Sequence, residues 1–153
     1  MKTILAPVDS SPTSNDVVAA AAALAQSVGG RLILLTVVQP PVFTAEYSVL
    51  MDNVMELTAI GERAAANHLA KLQTQIERTG LPVETVQQSG SPVTHIIEQA
   101  EKYQADYVVM GSHGHTAFYD LLVGSTTRGV LKRAHCPVVI VPPKEPSRDK
   151  ARP

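Results

Sequence analysis

Two glycine-bearing clusters and one aspartate hold most of the chemistry legible in this sequence. Gly111-Ser-His-Gly114 follows an apolar run, Tyr107-Val-Val-Met110; nine residues separate Gly114 from Gly124-Ser125-Thr126, and a basic, helix-prone segment comes next. A glycine lets the backbone approach a ligand with no Cβ between them. Small hydroxyl residues ahead of a helix can cap it, and a helix N-terminus turns unpartnered N–H groups toward an anion. The spacing therefore reads as a phosphate cradle between two strands, with plain turn glycines as the alternative. Asp9 closes the first apolar run, where a carboxylate can reach a ribose hydroxyl or a metal-bound water. Its alternative role is to complement the dipole of the next helix.

Other chemistries lack parts. No Gly-Lys-Ser or Gly-Lys-Thr follows the first apolar run, and no Gly-x-Gly-x-x-Gly is present, so phosphoryl transfer is without its lysine and a positioned base. His113 and His115 flank Gly114 near Asp120, but a His-x-His pair has no third ligand at a metal-site spacing, and loop histidines beside a phosphate are the plainer reading. A Ser112–His113–Asp120 triad is disfavoured, because triads assemble from distant elements and no Gly-x-Ser-x-Gly elbow occurs. No catalytic or metal-ligating residue is assigned. Arg128 and Lys132, one helical turn apart, read first as a solvated face and second as an approach to an outer phosphate. Cys136, before a proline, reads as packed, and His135 as part of a helix C-terminal turn.

These residues need elements to hold them. Thr3–Val8 and Leu32–Val38 are continuous apolar runs of the kind that forms strands covered on both faces. Between them Ser11-Pro12 predicts an N-cap and a first helical residue; Val17, Ala21, Leu24, Ala25 and Val28 share one face, and Gly29-Gly30 ends the helix. Residues 42–53 read as a loop or short flap over the strand ends. Leu57, Ile60, Ala64, Leu69, Leu72 and Ile76 mark a long amphipathic helix ending at Gly80. Pro82–Val86 is a half-polar strand, placed at a sheet edge by its proline. Ser91-Pro92 opens a third helix with Val93, Ile96, Ile97 and Ala100 inward, closing near Gln104; Val138–Val141 is the last strand. Five strands alternating with four helices predict an α/β fold, a doubly wound parallel sheet with its ligand at the carboxyl ends of the strands. The first and fourth strands should flank the crevice.

Composition bounds the partners. Thirteen basic against 14 acidic residues give a net charge of −1, which makes no case for nucleic acid or an anionic membrane. A single cysteine excludes an internal disulfide framework and suits a reducing cytoplasm. No apolar run approaches the ~20 residues of a membrane span, and the run after Met1-Lys2 is too short for a secretion signal. The expectation is one cytoplasmic domain over 1–143, with a disordered, charged tail at 144–153.

The chain resembles the universal stress protein family in its single-domain, ATP-binding type, from Ala6-Pro-Val-Asp9-Ser10 to Cys136-Pro-Val-Val-Ile-Val141. The specific part is Gly111-x-x-Gly114, nine residues, then Gly124-Ser125-Thr126, which is similar to the family's ATP signature. The resemblance implies an adenine-nucleotide alpha-hydrolase-like (Rossmann-like) fold of five parallel strands and four helices, paired as a homodimer through Val138–Val141. It implies ATP, with Mg, as ligand. Asp9 would contact the ribose or the metal-phosphate region; Val37 would line the adenine pocket with Pro7 and Val8 nearby; Met110 would border the sugar. Gly111, Gly114, Gly124, Ser125 and Thr126 would hold the phosphates. His115 stands where the family commonly has arginine or lysine, which makes phosphate affinity weaker and pH-dependent. The function implied is an ATP-binding stress-response regulator with slow hydrolysis at most. The alternatives are a metal-assisted nucleotide hydrolase using Asp9 and an interaction module without nucleotide.

Overall fold

A computed structural model describes residues 1–40, 51–112 and 123–144. The elements run β1 (Thr3–Pro7), α1 (Thr13–Ser27), β2 (Arg31–Val38), α2 (Met51–Glu77), β3 (Val83–Ser89), α3 (Pro92–Lys102), β4 (Tyr107–Gly111), α4 (Ser125–Arg133) and β5 (Val138–Val141). The five strands form one sheet in the order β3-β2-β1-β4-β5, and every neighbouring pair is parallel. Leu5 of β1 pairs with Ile33 of β2 on one side and Val108 of β4 on the other. The chain winds outward from β1 to β3, then returns to lay β4 and β5 on the other flank. The order thus reverses between β1 and β4, the place where a crevice opens in such sheets.

Alternation along the central strands explains the two layers. Ile4, Ala6, Leu32 and Leu34 point to α1 and α2, where they meet Val17, Val18, Ala21, Leu69 and Leu72. Leu5, Ile33, Leu35 and Val108 point the other way, to Ile96 and Ile97 of α3 and Val130 of α4. A strand apolar on both faces needs both layers, hence the continuous apolar runs. At the outer edge β3 is half-polar, and Gln87 of that strand donates its amide to the Glu62 carbonyl of α2 at 2.8 Å.

Several expectations shift. α1 begins at Thr13 with Pro12 in the cap position, and no side chain caps it; Ser11 instead shares a hydrogen bond with Thr13 through their hydroxyls at 2.7 Å. Met51, Asp52 and Asn53, expected in a loop, are already helical; residues 41–50 lie outside the described residues. β3 extends to Ser89 rather than ending at Val86. Leu69, Leu72 and Ile76 are buried as expected, but Leu57 and Ile60 are 55% and 56% exposed. The reason is geometric: Gly61 already lies against Val38, the last residue of β2, so the turns before it project past the sheet. The tail expected from residue 144 onward lies outside the described residues except for Lys144, whose ammonium pairs with Asp16 at 3.0 Å.

Candidate functional site

The site begins where β1 leaves the sheet. The Val8 N–H still donates to the Leu35 carbonyl at 2.8 Å, and the Thr36 hydroxyl donates to the Val8 carbonyl at 3.1 Å. One residue later Asp9 is knotted to the start of α1. Its Oδ1 accepts from the Ser11 N–H at 2.9 Å and lies 3.0 Å from the Ser14 hydroxyl. Ser14 Oγ also accepts the Asp9 N–H at 3.0 Å and sits 2.6 Å from the Asp9 carbonyl. A short side chain bonding the backbone two residues on is an Asx turn, which holds the carboxylate at the strand end.

β4 and α4 supply the opposite wall. Ser112, just past β4, donates its N–H to the Val141 carbonyl of β5 at 3.1 Å and accepts the Gly124 N–H at 2.7 Å. The Thr127 hydroxyl donates to the Gly111 carbonyl at 2.7 Å. Gly124 is the N-cap of α4, and no side chain caps that end. The helical ladder starts with the Arg128 N–H on the Gly124 carbonyl at 2.9 Å. Helix geometry therefore leaves the N–H groups of Ser125, Thr126 and Thr127 without intrahelical partners, at the positive end of the helix dipole.

The backbone at Gly124 is tied to the end of β4. Its N–H is taken by Ser112, and its φ of −57° with ψ of 159° is open to any residue. No positive φ demands glycine there, and the N–H groups without intrahelical partners are those of the residues after it.

The strand ends and α4 enclose one cavity of about 620 Å³. That lies within the roughly 300–1,000 Å³ of ordinary small-molecule sites. Of the residues singled out from sequence, Pro7, Val8, Asp9, Val37, Met110, Gly111, Gly124, Ser125 and Thr126 all border it. Gly114 and His115 lie outside the described residues, as do His113 and Asp120. Arg128 and Lys132 are exposed and do not border the cavity. Val8 and Met110 are buried and serve the core as well as the wall.

Sequence reasoning passed over Ser14, His68 and Thr127, which border the same cavity. Ser14 sits in a helix start whose sequence reads as a cap, and Thr127 directly follows the Gly124-Ser125-Thr126 run without belonging to it. His68 follows Gly61, Ala64 and Ala65 on one face of α2, a spacing visible in the sequence but not its destination. Among the described residues that border the cavity, only Asp9 and His68 are ionisable. Among the described residues no group of three His, Cys, Asp or Glu side chains could hold a metal ion.

Perturbed ionisable groups are found at the other pole of the sheet, at the amino ends of the strands. The Thr3 N–H and the Lys2 ammonium beside Asp106 hold its carboxyl below the usual range. Burial pushes the Cys136 thiol up, so it is a poor nucleophile. His135 lies beyond α4, exposed, 3.8 Å from Glu101.

The arrangement defines an α/β domain with a cavity at the switch point of a doubly wound sheet. The universal stress protein family model matches residues 1–142, and the chain belongs to that family. Universal stress protein A homolog 1 of Coxiella burnetii is 34% identical over 147 residues, covering 94% of this chain and 98% of that one. A universal stress protein of Methanocaldococcus jannaschii is 40% identical over 81 residues, which are 53% of this chain and only 46% of that relative. Among solved structures, UspA of Lactobacillus plantarum superposes with a TM-score of 0.82 at 27% identity, over 92% of this chain and 97% of that one. Two more distant family structures share the fold. One, in complex with cAMP, has a TM-score of 0.68 at 23% identity, over 92% of this chain and 95% of its own. The other, from Archaeoglobus fulgidus in complex with dAMP, has a TM-score of 0.57 at 19% identity, over 92% and 97%.

Proposed function

We propose that this chain binds an adenine nucleotide, ATP with Mg, and acts as a nucleotide-responsive regulator in the stress response. One observation carries the reading: the carboxyl ends of β1, β2 and β4 and the uncapped start of α4 meet around a single cavity. The donor set suits the ligand. Unpartnered N–H groups at a helix N-terminus attract phosphate, and the Ser125 and Thr126 hydroxyls beside them add donors. The backbone and side chain around Val37, with Pro7 and Val8, form an apolar slot for a base. Asp9, held by Ser11 and Ser14, presents a carboxylate to a ribose hydroxyl or to a water of the metal's shell. Relatives in the family bound to cAMP and dAMP support an adenine nucleotide over other ligands.

In this reading the protein holds its ligand and turns it over slowly at most. A bound metal neutralises phosphate charge. The residues' own part is to fix the phosphates on α4, exclude water from the base and tie the ligand to strand ends. Regulation proceeds through assembly as a homodimer in the cytoplasm. Among the described strands β5 lies at the sheet edge beside β4, and Val139 on it is 37% exposed. An apolar edge invites a second copy. Mass spectrometry of small molecules released by denaturing the purified protein tests the reading: adenine nucleotide in near-stoichiometric amount is expected, and a different ligand class would overturn it.

A further inference from the structure

We propose that Thr127 is a positioning residue for the phosphates: its hydroxyl sets the rotation of the first turn of α4 and so aims the N–H groups of Ser125 and Thr126. The inference rests on the nucleotide reading of this site. Thr127 is only 3% exposed, and its hydroxyl neither caps the helix nor bonds back to a carbonyl of the preceding turn. It donates instead to the Gly111 carbonyl of β4 at 2.7 Å. One residue further along, the Ser112 carbonyl accepts the Gly124 N–H at 2.7 Å.

Two consecutive carbonyls at the exit of β4 thus grip the helix start at two points three residues apart. A single grip at Gly124 would fix the helix end in space and leave it free to roll about its axis. The second grip removes that freedom. Roll is the coordinate that matters, because it decides whether the free amides of the first turn face the cavity or pass beside it. On its far side α4 is held against α3 so closely that a Cβ on Gly129 would come 2.7 Å from Val93. Translation is thereby restrained from α3 and rotation from β4. A phosphate then meets donors already oriented, and binding is not taxed by ordering them.

The test uses the full chain and three substitutions. Thr127→Val keeps shape and removes the hydroxyl, Thr127→Ser keeps the hydroxyl, and Thr127→Ala removes it with less crowding should valine fail to fold. Titration calorimetry with Mg-ATP and with adenosine is paired with amide hydrogen exchange of ligand-free protein, read at Arg128, whose N–H closes the first turn on Gly124. We expect Thr127→Val to weaken Mg-ATP roughly three- to tenfold, the span of one neutral hydrogen bond. Adenosine should change less than about twofold, Arg128 exchange should quicken, and Thr127→Ser should restore both readouts. Parent-like Mg-ATP affinity in Thr127→Val, equal losses for both ligands, or unchanged Arg128 exchange would each overturn the proposal. A parent protein that binds neither ligand defeats the nucleotide reading itself, and the role proposed for Thr127 falls with it; quickened Arg128 exchange would then assign the bond to folding alone.

Discussion

Replacing Ser14 by alanine should reveal how Asp9 is held. Ser14 is 3% exposed, and its one oxygen serves Asp9 three ways. Losing it removes the acceptor that the Asp9 N–H, a part-buried donor, uses here, at a cost of about 1–3 kcal/mol, and forfeits one donated bond of about 0.5–1.5 kcal/mol. Alanine returns about 0.5 kcal/mol through helix propensity in the first turn of α1. The net loss is about 1–4 kcal/mol, which in a domain of this size lowers Tm by about 2–16 °C. Differential scanning calorimetry measures it. A double-mutant cycle with Asp9→Ala should give a coupling of about 0.5–1.5 kcal/mol, because the Oδ1 contact is common to both changes. Adenosine should also bind more weakly, as the carboxylate loses one of its restraints, in contrast to Thr127→Val. A Tm within about 2 °C of the parent, with unaltered adenosine affinity, would refute the account of Ser14 as the anchor of Asp9.

Three further outcomes are expected. Gly30→Ala should destabilise by about 2–4 kcal/mol in urea denaturation, since its Cβ would lie 2.5 Å from the Lys2 carbonyl that accepts the Arg31 N–H; a loss below that of Gly29→Ala, where φ is +62° but space is open, would contradict it. Asp106 has a lowered pKa, so its contribution is present above the ordinary aspartate value and fades as pH falls through the folded value; Asp106→Asn should flatten the fall in stability below about pH 4 and leave the neutral region nearly parallel. Val139→Lys should yield a folded monomer in sedimentation experiments, whereas Ile140→Lys should also lose stability because Ile140 packs on its own core; a Val139→Lys dimer as tight as the parent's would refute edge pairing.

Much of the fold was legible because apolar runs and helical spacing are local. β1, β2, β4 and β5 are recognisable as unbroken apolar stretches, since strands between two helix layers have no polar face. The end of β3 was not, because Gln87 belongs there through a partner on α2. Leu57 and Ile60 fitted the helical period but not the burial, for periodicity does not say where the sheet stops. At the site, residue types pointed to Asp9 and the Gly124 region. What they did not reveal is how those residues are held: the hydroxyls of Ser14 and Thr127 spend their bonds on backbone atoms of other segments. Nor did a glycine at 124 disclose that its N–H would be turned inward to Ser112.

The most direct measurement of the central claim is calorimetric titration of nucleotide-free protein with Mg-ATP. The account predicts one site per chain with a dissociation constant in the micromolar range, about −8 kcal/mol. No heat and no thermal stabilisation at millimolar Mg-ATP would contradict it.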